Sequence, residues 1–230
     1  MLTIKLSPTQ SEKCGENSMK IISDIRLYKS SELNNYTGIA NKELNIAARR
    51  VVMKLREYNF SLGEFDHLYL NFTTCKSKDS FELLDKVDSY HPWYRYCDIG
   101  VTQSEYDNLT VQLVYEKISF VLVNIFNIAE GVIQNVITEA QKGAEMRMLF
   151  KEKKSAKATA TVYLRLLDSG KYLPQLRVTD LDGQDILCKD LPETVDLNSI
   201  GEIQLSGKTV TIKPQKNAFT TDLKPISFEL

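Results

Sequence analysis

Histidine is scarce in this 230-residue chain, which has only His67 and His91. A histidine-based catalytic or metal site would have to be built on these two. The four cysteines, Cys14, Cys75, Cys97 and Cys188, form no C-x-x-C pair. That argues against a zinc site and a dense disulfide framework, and fits reduced, mostly buried thiols. The ten glycines never group as G-x-G-x-x-G or G-x-x-x-x-G-K-S/T, so neither glycine device for cradling a phosphate is present. With 29 Lys+Arg against 30 Asp+Glu, no global field draws in nucleic acid. The most apolar run, Ile118 to Ile128, is short and interrupted by Asn124 and Asn127, whereas a membrane span needs roughly 18 apolar residues. The opening residues Met1 to Pro8 place no basic segment ahead of an apolar one, so no cleaved signal is expected and the localisation reads as cytoplasmic. On that reading the Asn-x-Thr matches at Asn35, Asn71 and Asn108 are chance.

What remains is the pattern of an ordinary globular chain, 43% hydrophobic and 26% charged. Met19 to Tyr28 reads as a strand followed by a polar loop. From Asn41 to Tyr58 the apolar residues Leu44, Ala47, Ala48, Val51, Val52 and Leu55 recur at helical steps, with Glu43, Arg49, Arg50, Lys54 and Arg56 mostly on the wet side. His67 to Thr73 alternates Leu68, Leu70 and Phe72 inward against Tyr69, Asn71 and Thr73. Asp79 to Val87 reads as a short helix ended by the turn before Pro92, and Trp93 to Val101 as an aromatic strand. The longest pattern, residues 108–140, predicts one long apolar helix or two stacked ones with a kink at Gly131. Lys142 to Lys157, with six bases against two acids, reads as a charged connector or helix end. Beyond it the period changes to two, in short strands at Thr161 to Leu167, Leu176 to Leu181, Ile203 to Leu205 and Thr209 to Ile212.

The fold class expected is therefore α+β. An N-terminal α/β portion, residues 1–155, holds the long helix; residues 156–230 form a small, mainly antiparallel β domain or an extension of the first sheet.

Two surfaces stand out as candidates for binding. In a strand, Trp93 and Arg95 take one face with Cys97, while Tyr94 and Tyr96 take the other with Asp98. Trp, Tyr and Arg are the residue types enriched at interface hot spots. Between Val178 and Gly207, seven acids, among them Asp180, Asp182, Asp185 and Asp190, face the single base Lys189. Such a segment would attract a basic partner. Its spacing fails the calcium-loop pattern, because Gly183 directly follows Asp182. Asp98, Glu105 and Asp107 could pair for acid–base chemistry, but loop acids are usually solvated and Glu105 and Asp107 are better read as charges for the first turn of the helix near residue 108. No catalytic residue, metal or cofactor is assigned.

The strand sequences His67 to Thr73 and Trp93 to Gly100, the acidic segment and the α+β layout resemble the immunity proteins of bacterial polymorphic-toxin systems. That resemblance implies a non-catalytic protein that neutralises a cognate toxin by covering it, here a partner with a basic surface. It would bind through Trp93, Tyr94, Arg95, Tyr96 and the acids at 180–190, with no nucleic acid and no membrane. Two alternatives remain at this level. One is an enzyme using His67, His91, Asp98 or Glu105; the other is a self-associating assembly subunit built on the long helix.

Overall fold

A computed structural model describes residues 19–218 and 220–230; the start of the chain and Cys14 lie outside them. The central sheet is built from β1 (Asp24–Ser30), β2 (Thr37–Gly38), β3 (His67–Thr73), β4 (Phe81–Leu83) and β5 (Tyr94–Gly100), in the order β2-β1-β3-β5-β4. The three inner strands β1, β3 and β5 run parallel, and the two short edges are antiparallel. The expected strand at Met19 to Tyr28 thus begins later, at Asp24. The helix expected over Asp79 to Val87 is instead a turn followed by β4. Asp79 adopts a left-handed φ of 60° and Phe81 to Leu83 pair with Ile99, Asp98 and Cys97. Edge pairing satisfies more backbone groups here than a single isolated helical turn would.

Helix α1 (Lys42–Glu57) follows the apolar period closely. The Asn41 side chain accepts from the Leu44 N–H at its start, and Asn59 turns left-handed just past its end. Burial departs from the sequence reading at two cations. Arg50 and Lys54, expected on the wet side, are buried because α1 is packed not only by β1 but also by the later helices and by a strand of a second sheet. Their charged ends cross to that sheet's neighbourhood: Arg50 donates to the Leu166 carbonyl and Asp168, and Lys54 to the Arg147 carbonyl and Glu57.

Of the two arrangements expected over 108–140, one long helix or two stacked ones, the structure has the second, α3 (Val111–Phe126) packed against α4 (Glu130–Ala140), preceded by a short α2 (Gln103–Asp107). The break falls at Asn127, not at Gly131. Asn127 caps α3 in the left-handed conformation, φ 52°, with its N–H on the Leu122 carbonyl. Asn tolerates that conformation at little steric cost, which the β-branched residues around it do not. Glu105 and Asp107 belong to α2 rather than to the first turn of α3, which Thr110 caps. Glu105 closes a capping box with Thr102, whose backbone N–H holds the Glu105 carboxyl below the ordinary carboxylate range. Its stabilisation is present above that range and lost as pH falls through the depressed value. Thr102→Ala is expected to cost about 1 kcal/mol in a denaturant titration near neutral pH.

The basic segment read as a connector contains a strand. β6 (Met148–Lys154) opens an antiparallel meander with β7 (Ala158–Leu166), β8 (Tyr172–Asp180) and β9 (Asp185–Asp190). Residue 155 lies in the β6–β7 turn. A three-stranded sheet, β10 (Glu202–Leu205), β11 (Thr209–Lys213) and β12 (Ile226–Glu229), completes the chain. The mixed α+β class is as expected, and the buried apolar side chains of helices and sheets form one contiguous cluster. Among the described residues no helix is long and apolar enough to cross a membrane.

Candidate functional site

Parallel strands in register present paired residues on the same face. Leu27, Leu70 and Cys97 are one such row, and they join the apolar cluster under the helices. The rows between them point the other way: Tyr28, Asn71 and Asp98; then Arg26, Tyr69 and Tyr96; then Asp24, His67 and Tyr94. This second face is covered by its own tyrosines. Tyr69 and Tyr94 stack at 4.5 Å between ring centroids and Tyr36, from the β1–β2 loop, stacks on Tyr96 at 4.1 Å. Tyr28 packs against both Tyr69 (5.3 Å) and Tyr96 (5.2 Å).

Beneath the rings runs a polar row. Asn71, 1% exposed, donates through Nδ2 to Ser30 Oγ at 2.9 Å and to Asp98 Oδ1 at 2.8 Å. Its own Oδ1 is buried without a partner among the described residues. A buried asparagine also cannot serve as a glycan acceptor, so the match at Asn71 is chance in this fold. Partial burial raises the phenol pKa values of Tyr36, Tyr69, Tyr94 and Tyr96. Asp98 adds to the rise at Tyr36, and the hydrogen bond to Asp88 adds to that at Tyr94. These rings are therefore neutral phenols at physiological pH, with Tyr69 buried and Tyr36, Tyr94 and Tyr96 half-buried around it.

The residues singled out from sequence are divided by this geometry. Tyr94 and Tyr96 lie on the tyrosine face. Arg95 lies on the opposite one, its guanidinium 5.3 Å from the Phe65 ring centroid and donating to the Pro92 and Tyr94 carbonyls. Trp93 precedes β5, 38% exposed and edge-on to His91. The acids occupy the β8–β9 hairpin of the other sheet. Asp180 accepts from the Asp182 and Gln184 N–H groups to close the turn, Asp185 pairs with Arg177, and Asp190 accepts from Gln175. Of the four, only Asp182 has a carboxylate without a described side-chain or backbone partner. Tyr28, Tyr36 and Tyr69 were not among the sequence candidates. Alternation placed Tyr69 on the face opposite the leucines, but nothing local says that three strands will set their tyrosines side by side.

The groups an enzyme would need do not converge. His67 Nδ1 lies 2.7 Å from Asp66 Oδ1, whose other oxygen accepts from Ser23. Asp98 pairs with Asn71, four residues along β3 from His67, or roughly 13 Å at the strand rise. Glu105 is engaged in its cap. Cys97 is buried and its thiol is pushed up to about 12 by that burial, so it is no nucleophile. Against the expectation of mostly buried thiols, Cys75, in the β3–β4 loop, and Cys188, in the edge strand β9, are exposed. No group of three or more His, Cys, Asp or Glu capable of holding a metal occurs among the described residues. No family model, no curated protein and no solved structure matches this chain.

Proposed function

We propose that this chain is a non-catalytic binding protein acting in the cytoplasm, and that it neutralises a protein partner by covering it, as an immunity protein does a toxin. The observation that carries this reading is the tyrosine face: five rings packed in a connected group on the side of the central sheet opposite the apolar cluster. Rings already ordered against one another lose little side-chain entropy on docking, and tyrosine contributes both area and a hydrogen-bonding edge. The Asp182 carboxylate at the β8–β9 tip supplies a second, longer-range attraction for a basic partner.

The test is affinity capture from lysate of the source cells with the full chain, its Y36A/Y94A variant and its D182N variant, at low and high salt. One stoichiometric protein is expected on the full chain. It should bind the double tyrosine variant at least roughly 30-fold more weakly, the consequence of removing hot-spot contacts. D182N should slow association and flatten its salt dependence. A partner held equally by Y36A/Y94A would remove the tyrosine face from the account, and a chain that retains no protein would overturn the reading.

A further inference from the structure

A separate cleft of about 720 Å³ opens between the N-terminal ends of α1 and α3, the C-terminal end of α4 and the β7–β8 turn. Its floor is apolar and buried: Ile46, Ala47, Tyr115 and Ala140. Set into that floor is Arg50, only 7% exposed. Two of its nitrogens are fixed, Nε and Nη2 both donating to the Leu166 carbonyl and Nη2 also to Asp168 Oδ1 at 2.7 Å. The third, Nη1, makes no hydrogen bond among the described residues and is not sealed from solvent. It lies 3.8 Å from where a Cβ on Gly143, another wall residue, would stand. The guanidinium's charge is felt at the Tyr115 phenol, which also lines the cleft: it opposes the rise that burial imposes there.

A guanidinium held rigid by two of its nitrogens, with the third turned toward an apolar hollow, is prepared for one acceptor at no cost in reorganisation. Lys42 stands at the rim and adds positive charge. Glu43 and Asp168 stand there too, and their carboxylates repel an anion of high charge. The combination selects a monoanion with an apolar body over a phosphate dianion.

We infer that this cleft binds a small amphipathic carboxylate, its head on Arg50 Nη1 and its body against Ile46, Ala47 and Tyr115. The site is independent of the tyrosine face, and Asn71, Tyr94 and Tyr96 play no part in it.

The test uses the full chain labelled with nitrogen-15 and three probes of one length: 4-phenylbutyrate, 4-phenylbutanol and 4-phenylbutylamine. Amide shifts in a titration locate each probe and give its affinity. The carboxylate is expected to shift Ala47, Gln112 and Gly143 and to bind about tenfold or more tightly than the alcohol, the increment of a charge-assisted hydrogen bond. The amine should not bind there. Arg50→Gln should abolish the preference for the carboxylate. Because Arg50 also anchors the β7–β8 turn, Gln112→Trp is the second variant: it fills the mouth from an exposed position, leaves the Arg50 bonds in place, and should abolish binding in a chain whose other amide signals are unchanged. Equal affinity for the three probes, shifts confined to other parts of the chain, no shift at millimolar concentration, or full binding by Gln112→Trp would each overturn the inference.

Discussion

Asn71→Asp is expected to destabilise the protein by about 3 kcal/mol near neutral pH and to recover as the solution is acidified. The wild-type amide donates to both Ser30 and Asp98 from a position that solvent does not reach. The substitution removes both donors and sets a second carboxylate within hydrogen-bonding distance of the first, beneath a roof of tyrosine rings. Two such groups cannot both ionise there, so the pair retains a proton to a higher pH than either would in the unfolded chain. The sign follows from linkage. A carboxyl whose folded-state pKa is raised has its stability fully present below the unfolded value and loses it as pH rises through the folded one. Urea titrations of both proteins across the acid-to-neutral range measure the difference directly. A deficit below about 1 kcal/mol that does not change with pH would mean that the Ser30–Asn71–Asp98 row is not closed as described.

Gly100→Ala is the second large effect, expected at about 3 kcal/mol, the upper part of the range for overpacking. A Cβ at this position would stand 1.8 Å from the Ser77 carbonyl oxygen and 2.7 Å from its carbon, both backbone atoms. The loop has little freedom to retreat. Asp79 N–H donates to the Gly100 carbonyl at 3.0 Å and Gly100 N–H to the Ser80 carbonyl at 2.8 Å. The same loop holds Asp79 against Lys117, whose side chain is 2% exposed, at 2.5 Å. Burial opposes the Lys117 charge, but the hydrogen bonds to Asp79 and Glu116 prevail and its pKa is raised; this contribution is therefore present up to the ordinary lysine range and lost only as pH rises through the raised value. Displacing the loop strands that ammonium. Lys117→Met should accordingly cost less in the Gly100→Ala background than alone, with a coupling of about 1 kcal/mol or more in a double-mutant cycle. Additive effects would separate the loop from the lysine, and a Gly100→Ala cost within about 0.5 kcal/mol would show that Ser77 does not lie over this strand end.

How far the sequence could be read depended on whether the relevant physics was local. Helix α1 and strands β3 and β5 were legible because a 3.6-residue or two-residue period is written directly into Leu44 to Leu55, Leu68 to Phe72 and Tyr94 to Ile99. The placing of Tyr94 and Tyr96 on one face and Arg95 on the other was legible for the same reason, whereas Trp93 falls just outside the strand. The break at Asn127 was less so, since the apolar period continues across it and only the side chain's tolerance of a left-handed turn marks the end of α3. Phe81 to Leu83 became a strand because β5 offered an edge, which no window around residue 81 contains.

Charge was the quantity most altered by folding. Summed along the chain, the segment from Val178 to Gly207 is strongly acidic, yet Arg177 from β8 lies beside Asp185 on β9 and Lys171 reaches Glu193. The chain alone determined which residues form the main helix and strands, which side chains alternate, and that no phosphate loop or cysteine-rich metal motif is encoded. Only the tertiary structure decided which side of the sheet the helices cover, that Tyr28, Tyr36, Tyr69, Tyr94 and Tyr96 meet on the other, and that Arg50 lies at the bottom of a cleft. Alternation is fixed by the geometry of the covalent backbone, whereas strand order, register and burial are set by hydrogen bonds and apolar contacts between residues far apart in sequence.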